Sequence, residues 1–239
     1  MVGVKTDLGN IRSLNEDYFE FYESDNYKIY VVADGMGGHN AGEVASKTAA
    51  RALVEYIKNN YQDEENKELL KAAIEYANKQ VYELANEDET YNGMGTTIVA
   101  CYITRDFIQI ANVGDSACFG VKDKEIIKIT KDHSLVQELL DAGSISKEEA
   151  ENHPNKNIIT RAIGTYKNVE IDIFDIDKSQ YNLFILCTDG LTNEVSLEEI
   201  SNEIVQDRDL QNICENLVGL AKKNGGRDNI TVMLVGGEV

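Results

Sequence analysis

The chain is poor in residues that mark many functional classes. Among 239 residues there are one proline, no tryptophan and three histidines, and 23 lysines and arginines stand against 42 aspartates and glutamates. The lone Pro154 and the want of any Gly/Ser-rich or proline-rich linker give no signal for a division, so residues 1–239 read as one domain. A formal net charge of -19 excludes the basic footprint needed to hold nucleic acid or an anionic membrane. No apolar run approaches the ~20 residues that span a bilayer. The N-terminal MVGVKTDLGNIRSLNED lacks the apolar core of a secretion signal. Cys101, Cys118, Cys187 and Cys214 show no CxxC spacing, and three lie in apolar runs. Buried reduced thiols of a cytoplasmic protein are therefore expected, rather than zinc ligands or disulfides.

What is present is a set of short apolar runs and two long helical periodicities. YKIYVVAD (27–34) is β-branched and aromatic and reads as a strand. Ala45, Ala49, Ala52, Leu53 and Tyr56 recur at helical spacing, as do Leu70, Ala73, Ile74, Ala77, Val81 and Leu84. The acidic segment from Gln62 to Glu68 reads as a solvated connection between those helices. TTIVACYI (96–103), FIQIANVGD (107–115) and two runs flanking a turn at 122–124 suggest an antiparallel meander of neighbouring strands. The polar stretch from Asp132 to Asn157, with a short helical pattern at Leu135, Leu139 and Leu140, reads as an excursion from the core. VEIDIFDI (169–176) and YNLFILCTD (181–189) read as strands, Ser196 with Glu199 as a capping box, Ile213 to Ala221 as a helix, and NITVMLVGG (229–237) as a closing strand. Strands in runs with helices in pairs imply an α+β fold of mainly antiparallel sheets with helices on their faces.

VVADGMGGHNAGE (31–43) places an acid where nucleotide enzymes keep a glycine loop. The sixth position from Gly35 is Asn40, and Gly42 precedes Glu43 and Val44, so neither a dinucleotide fingerprint nor a P-loop is present. Asp34, Asp115, Asp189 and Asp228 each lie at one end of an apolar strand beside a small or turn-forming residue. One such aspartate is ordinary turn chemistry; four suggest one sheet edge that gathers them. Clustered carboxylates need compensating positive charge, and an all-oxygen set suits Mg²⁺ or Mn²⁺ rather than Zn²⁺. A calcium loop of the EF-hand kind fails, because the loop opening at Asp88 has Val99 where its twelfth residue should be Glu.

RSLNED (12–17), VVADGMGGHNAGE, GMGTT (93–97), ANVGDS (111–116), TKDHS (130–134), HPNKNIITRAIG (153–164), CTDGLTN (187–193) and GGRDNIT (225–231) follow in this order along almost the whole chain. That ordered set resembles the metal-dependent Ser/Thr protein phosphatases of type 2C, the PPM family, in their compact bacterial form. The resemblance implies a four-layer α-β-β-α sandwich, two mainly antiparallel sheets flanked by helix pairs, with a flap at about 132–160. It implies two core Mn²⁺ or Mg²⁺ ions and a weaker third. Asp34 would bridge the core ions, the Gly35 carbonyl would bind one, and Asp189 and Asp228 would complete the other. Asp115 and Asp189 would hold the third. Glu16, and behind it Asp17, would act through metal-bound water, and Arg12 would pair with the substrate phosphate. The glycines after Asp34 would let the chain turn sharply there.

The implied reaction is hydrolysis of phosphoserine and phosphothreonine in proteins by direct attack of a metal-bridging water, opposing a bacterial Ser/Thr kinase. Asp34, Asp189 and Arg12 would be the catalytic residues. Some relatives carry a histidine as general acid where this chain has Met36, which cannot donate a proton. His39 and His153 lie near by motif, though each is first read as a structural or surface histidine. Asn193 stands where many relatives place an aspartate for the third ion. Arg161, beside the flap with His133, either touches substrate or braces the flap. A non-catalytic phosphoprotein-binding relative would lack metal ligands, whereas all four aspartates are present; a small-molecule phosphatase is the nearer rival.

Overall fold

The structure, a computed structural model, describes residues 1–236 except 38–40, 63–65, 124, 152 and 207–208, and of residues 151 and 206 the backbone alone. Two antiparallel sheets stack face to face. One contains β1 (Val2–Asp7), β7 (Ala117–Lys122), β8 (Glu125–Lys128), β10 (Leu183–Cys187) and β11 (Ile230–Gly236), in the order β1-β11-β10-β7-β8. The other contains β2 (Asp17–Glu23), β3 (Tyr27–Met36), β5 (Ile98–Thr104), β6 (Ile108–Val113) and β9 (Asp172–Ile176), in the order β2-β3-β5-β6-β9, with the short β4 (Gly95–Thr96) pairing the end of β3. Tyr30, Val32, Cys101, Ile110, Phe184, Leu186 and Met233 fill the space between the sheets. Each such side chain contributes roughly 1.5–3 kcal/mol by leaving water.

Helices cover both outer faces, so the four-layer α-β-β-α arrangement holds. α1 (Ala41–Asn60) and α2 (Leu69–Glu87) lay Ala45, Ala49, Leu53, Leu70, Ile74 and Val81 against Ile29, Val31 and Ala100. On the opposite face α6 (Leu197–Gln206) and α7 (Leu210–Asn224) bring Ile200, Ile213, Leu217 and Ala221 onto Ile185, Val232 and Leu234. The capping box opens α6 as expected: the Ser196 N–H donates to Glu199 Oε2 at 2.9 Å, and the Glu199 N–H to Ser196 Oγ at 3.3 Å. All four cysteines are free and buried. Burial pushes the Cys187 and Cys214 thiols up to about 12, far from the range in which a thiolate reacts. No helix of the described residues is long and apolar enough to cross a membrane.

Several expectations need correction. The meander is broken: β5 and β6 form a hairpin, but β7 lies in the other sheet, paired with β8 and β10. Gly114, at φ +108°, makes the crossing from one sheet to the other, a conformation that glycine adopts without penalty. β1 and β2 were not expected; β2 alternates Phe19 and Phe21 toward the inter-sheet core with Tyr18 and Tyr22 toward α1. The strand expected at 169 begins at Asp172. The excursion after Asp132 holds α3 (Leu135–Asp141) and a second short helix, α4 (Lys147–Glu151), while α5 (Asp189–Thr192) follows β10 directly. The connection at 62–68 and the turn at 122–124 lie partly outside the described residues.

Candidate active site

The inter-sheet crossing and the strand ends meet at one edge of the sandwich, around a cavity of about 260 Å³. Arg12, Glu16, Asp34, Gly35, Met36, Asp115, Asp189 and Asp228 all line it. Asp34 was expected to end its strand, but β3 runs on to Met36 through pairing with β4. Its main chain is clamped from both sides. The Asp34 N–H donates to Thr97 Oγ1 at 2.9 Å, and the Asp34 carbonyl accepts from the Thr97 N–H at 2.9 Å and Thr96 Oγ1 at 2.8 Å. Thr97 Oγ1 also lies 2.7 Å from Ser116 Oγ, which ties Asp34 to the segment carrying Asp115.

Gly35 serves close approach rather than a sharp turn. It is an extended residue of β3, and a Cβ there would overlap the Gly42 carbonyl and sit 2.6 Å from the Glu16 carbonyl. The chain therefore packs backbone against backbone, with the Gly35 N–H donating to the Glu16 carbonyl at 3.1 Å. Asp189 opens α5 two residues past β10, and Asn193 Nδ2 donates to its Oδ2 at 2.9 Å. Asn193 thus stands directly against Asp189.

A single asparagine fixes the N-terminal part of the site. Asn229 Nδ2 donates to the Leu8 and Leu14 carbonyls, each at 2.9 Å, and its Oδ1 accepts the Glu16 N–H at 2.9 Å. Asn10 adds a second pin, with its N–H donating to the Gly226 carbonyl at 2.7 Å. These bonds carry Arg12 to Asp228, where Arg12 Nη2 donates to Asp228 Oδ2 at 2.9 Å. Asp17 pairs with Asp34 across β2 and β3 but lies behind the cavity lining. Its Oδ2 accepts from Thr188 Oγ1 at 2.9 Å and Thr231 Oγ1 at 2.7 Å, while its buried Oδ1 has no hydrogen-bond partner.

The electrostatics follow from burial and crowding. Burial, then the charges of Asp17, Asp189, Asp115 and Asp228, hold the Asp34 carboxyl well above the usual range. Burial and the charge of Asp189 push Asp115 up to about 7. Burial and Asp228 push Asp189 up to about 6. Asp17 is raised to about 7, chiefly by burial, against the opposing hydrogen bonds of Thr231 and Thr188. Glu16 is raised by burial although Arg12 opposes the shift. Such a cluster favours a compensating cation.

Two arginines predicted at the site are placed differently. Arg12 lines the cavity, whereas Arg161 does not. Arg161 Nη1 donates to Asp172 Oδ1 at 2.9 Å and its Nη2 pairs with Glu170 at 3.1 Å, beside His133. His133 is buried and holds the sheet crossing: its N–H donates to the Gly114 carbonyl at 2.9 Å, and its Nδ1 accepts the Gly114 N–H at 3.1 Å. With Nδ1 accepting, Nε2 carries the proton toward Asp172 Oδ2 at 3.1 Å. His153 does not line the cavity, and its Nδ1 accepts the Asn155 N–H at 3.2 Å. His39 lies outside the described residues. The polar excursion reaches the site through Asn157 and Ile159, which line the cavity, and Lys156 Nζ, 3.4 Å from Asn193 Oδ1.

A family model for protein phosphatase 2C matches residues 11–234. The chain belongs to the protein phosphatase 2C family. It is 43% identical over 235 residues to the serine/threonine phosphatase stp of Listeria welshimeri, covering 97% of this chain and 93% of that protein. Among solved structures, the serine/threonine phosphatase Stp1 from Staphylococcus aureus superposes with a TM-score of 0.92 at 37% identity, covering 100% of this chain and 95% of that one. The catalytic domain of the serine threonine protein phosphatase PstP, in complex with two manganese ions, superposes with a TM-score of 0.83 at 30% identity, covering 98% and 96%.

Sequence reasoning passed over the residues that hold the candidate site together: Thr97, Thr188, Thr231 and Asn229. Their signal was weak but present. Thr97 directly precedes β5, Thr188 separates β10 from Asp189, Asn229 separates Asp228 from β11, and Thr231 is the second residue of β11.

Proposed function

We propose that this chain hydrolyses phosphoserine and phosphothreonine in proteins with the help of divalent metal ions, Mn²⁺ or Mg²⁺. The observation that carries the proposal is the convergence of Glu16, Asp34, Asp115, Asp189 and Asp228, from distant segments, on one cavity that also holds Arg12. The donor chemistry fits hard divalent cations, since among the described residues the lining offers carboxylates and a strand carbonyl and neither histidine nor cysteine. Among the described residues no three such side chains close on a single point. Asp228 is paired with Arg12 and Asp189 with Asn193, so ligation exchanges those partners for the ion. The fit is therefore one of chemistry and position. Asp34, the Gly35 carbonyl, Asp189 and Asp228 would hold two core ions, with Glu16 acting through water. Asp115 and Asp189 would hold a weaker third, weaker because Asn193 lacks a carboxylate.

When bound there, the ions would supply Lewis acidity toward an attacking water and positive charge toward the phosphoryl oxygens. Arg12, released from Asp228, presents two N–H groups to the phosphate. Asp17 carries no direct contact to the cavity and orients the floor through Thr188 and Thr231. Met36 lines the cavity but donates no proton, so the leaving alkoxide would draw its proton from a water of the site or from solvent. Residues 132–160 act as a flap, an assignment supported by Asn157 and Ile159 at the cavity wall. The whole of 1–239 forms one catalytic unit in a cytoplasmic protein, in keeping with its buried free thiols. The phosphorylated substrates would include those of a bacterial Ser/Thr kinase, and the kinase itself.

The test is phosphate release from a phosphothreonine peptide with Mn²⁺, against a chelator control. Release that needs the metal and vanishes in Asp189→Ala supports the proposal. Undiminished Mn²⁺-dependent hydrolysis by that variant would defeat it.

A further inference from the structure

The turn that carries Asp115 is gripped on both sides of that residue. After it, Ser116 Oγ lies 2.7 Å from Thr97 Oγ1. Before it, the Gly114 carbonyl, part of the peptide bond that leads into Asp115, accepts from the His133 N–H at 2.9 Å and from Asn112 Nδ2 at 3.1 Å. The Gly114 N–H donates in turn to His133 Nδ1 at 3.1 Å. His133 is itself anchored: its ring is buried, its carbonyl accepts the Thr160 N–H at 2.8 Å, and the next residue, Ser134, bridges Ile159.

This grip works in one ring tautomer only. Nδ1 accepts from Gly114 while the ring proton sits on Nε2. Two groups compete for Nε2: Asp172 Oδ2 at 3.1 Å, which accepts, and Arg161 Nη1 at 3.2 Å, which can only donate. A ring that accepted from Arg161 would carry its proton on Nδ1 and set it against the Gly114 N–H, donor against donor. Asp172 settles the competition, because its Oδ2 faces Nε2 while its Oδ1 takes Arg161 Nη1 at 2.9 Å. We infer that His133, in the tautomer imposed by Asp172, is a positioning residue for Asp115 and sets how tightly that carboxylate holds a divalent cation. This rests on the metal-dependent reading of the cavity. Neither His133 nor Asp172 is among the residues lining it, so both act through the Gly114 peptide. Outer partners that orient a ligand in this way change metal affinity by roughly 10–100-fold.

Asp172→Asn is the decisive variant. Arg161 claims the amide oxygen, which leaves the amide NH₂ facing Nε2. Asp172 is 33% exposed on the edge strand β9, so the exchange leaves the fold intact. In metal-free protein carrying isotopically labelled histidine, NMR correlation of ring nitrogens with ring protons should place the His133 proton on Nε2 in wild type and on Nδ1 in Asp172→Asn. In calorimetric titration with Mn²⁺, the site that Asp115→Ala abolishes should weaken about tenfold in Asp172→Asn. In the Asp115→Ala background the same exchange should cost nothing further. A wild-type proton on Nδ1 overturns the inference, as does an Asp172→Asn protein with unchanged tautomer or unchanged Mn²⁺ affinity. Asp115→Ala that binds Mn²⁺ as wild type does, or an equal loss from Asp172→Asn in that background, overturns it too. A wild-type chain that binds no Mn²⁺ overturns the metal-dependent reading of the cavity, and the inference with it.

Discussion

Replacing Asn229 by alanine tests whether the site is assembled by its hydrogen-bonded frame. The Asn229 side chain is buried and makes three bonds of 2.9 Å, to the Leu8 carbonyl, the Leu14 carbonyl and the Glu16 N–H. Each bond contributes about 1 kcal/mol net, and a main-chain group left unpaired costs about 1–3 kcal/mol when water cannot reach it. Leu8 and Leu14 lie in a surface segment where water can replace part of the loss, so about 2–4 kcal/mol is expected in total. For a chain of this size that lowers Tm by roughly 5–12 °C. The functional loss should be separate from the stability loss, because the released segment carries Arg12 and Glu16. At a temperature where wild type and variant are both folded, kcat/KM on a phosphothreonine peptide should fall at least tenfold. Urea unfolding followed by circular dichroism measures the first effect, and steady-state kinetics in excess Mn²⁺ the second. A variant within 0.5 kcal/mol of wild type, with unchanged kcat/KM, would refute the claim that Asn229 positions the N-terminal half of the site.

Two further outcomes follow from the cluster and its packing. In chelator, stability should fall as pH rises from about 4 to 7. Burial raises Asp17 and Asp115 to about 7 and Asp189 to about 6 in the folded chain, so their contribution is full below the ordinary carboxylate range and is lost as they ionise. Carboxylates held low by partners, such as Asp172, which His133 and Arg161 depress against its burial, titrate only below that window. Tm measured across pH 5–8 should therefore decline in wild type and flatten in Asp115→Asn/Asp189→Asn; a rise would contradict the sign. Gly35→Ala should prevent folding or lower stability by more than about 3 kcal/mol, since its Cβ meets the Gly42 and Glu16 carbonyls and not a flexible side chain. A soluble Gly35→Ala protein with wild-type Tm would show that β3 and the start of α1 are not in backbone contact.

The layers of the fold were legible because both helix periodicity and apolar strands report burial directly. Leu53, Leu70 and Ile74 lie where their spacing put them, fully buried against the second sheet. The strand order was not legible in the same way. FIQIANVGD and the run after it are separated by a hairpin-length connection, and local length cannot tell a hairpin from a crossing between stacked sheets. Gly114 at φ +108° and its reciprocal bonds to His133 decide the matter, and His133 is distant in sequence. β1 and β2 were passed over although VGVKTD and DYFEFYE alternate. Their charged and polar outward positions dilute the apolar signal that made the central strands plain.

The clustered aspartates were legible for a reason that does not extend to their supports. A carboxylate at the end of an apolar strand is conspicuous against its neighbours, and four of them in one chain imply a shared edge. A threonine or asparagine in the same place is ordinary. Thr188 becomes significant only when Asp17 is seen to be buried, with one oxygen held by Thr188 and Thr231 and the other unpartnered. Asn229 becomes significant only when residues 8–16 are seen to fold back upon it. The same holds for Gly35, whose place after Asp34 suggested a turn until the opposing Gly42 and Glu16 carbonyls showed that a side chain has no room. Charge marks where chemistry can occur. What brings the charges to one cavity is a set of short polar bonds and bare backbone, and those acquire meaning only from the partner across the fold.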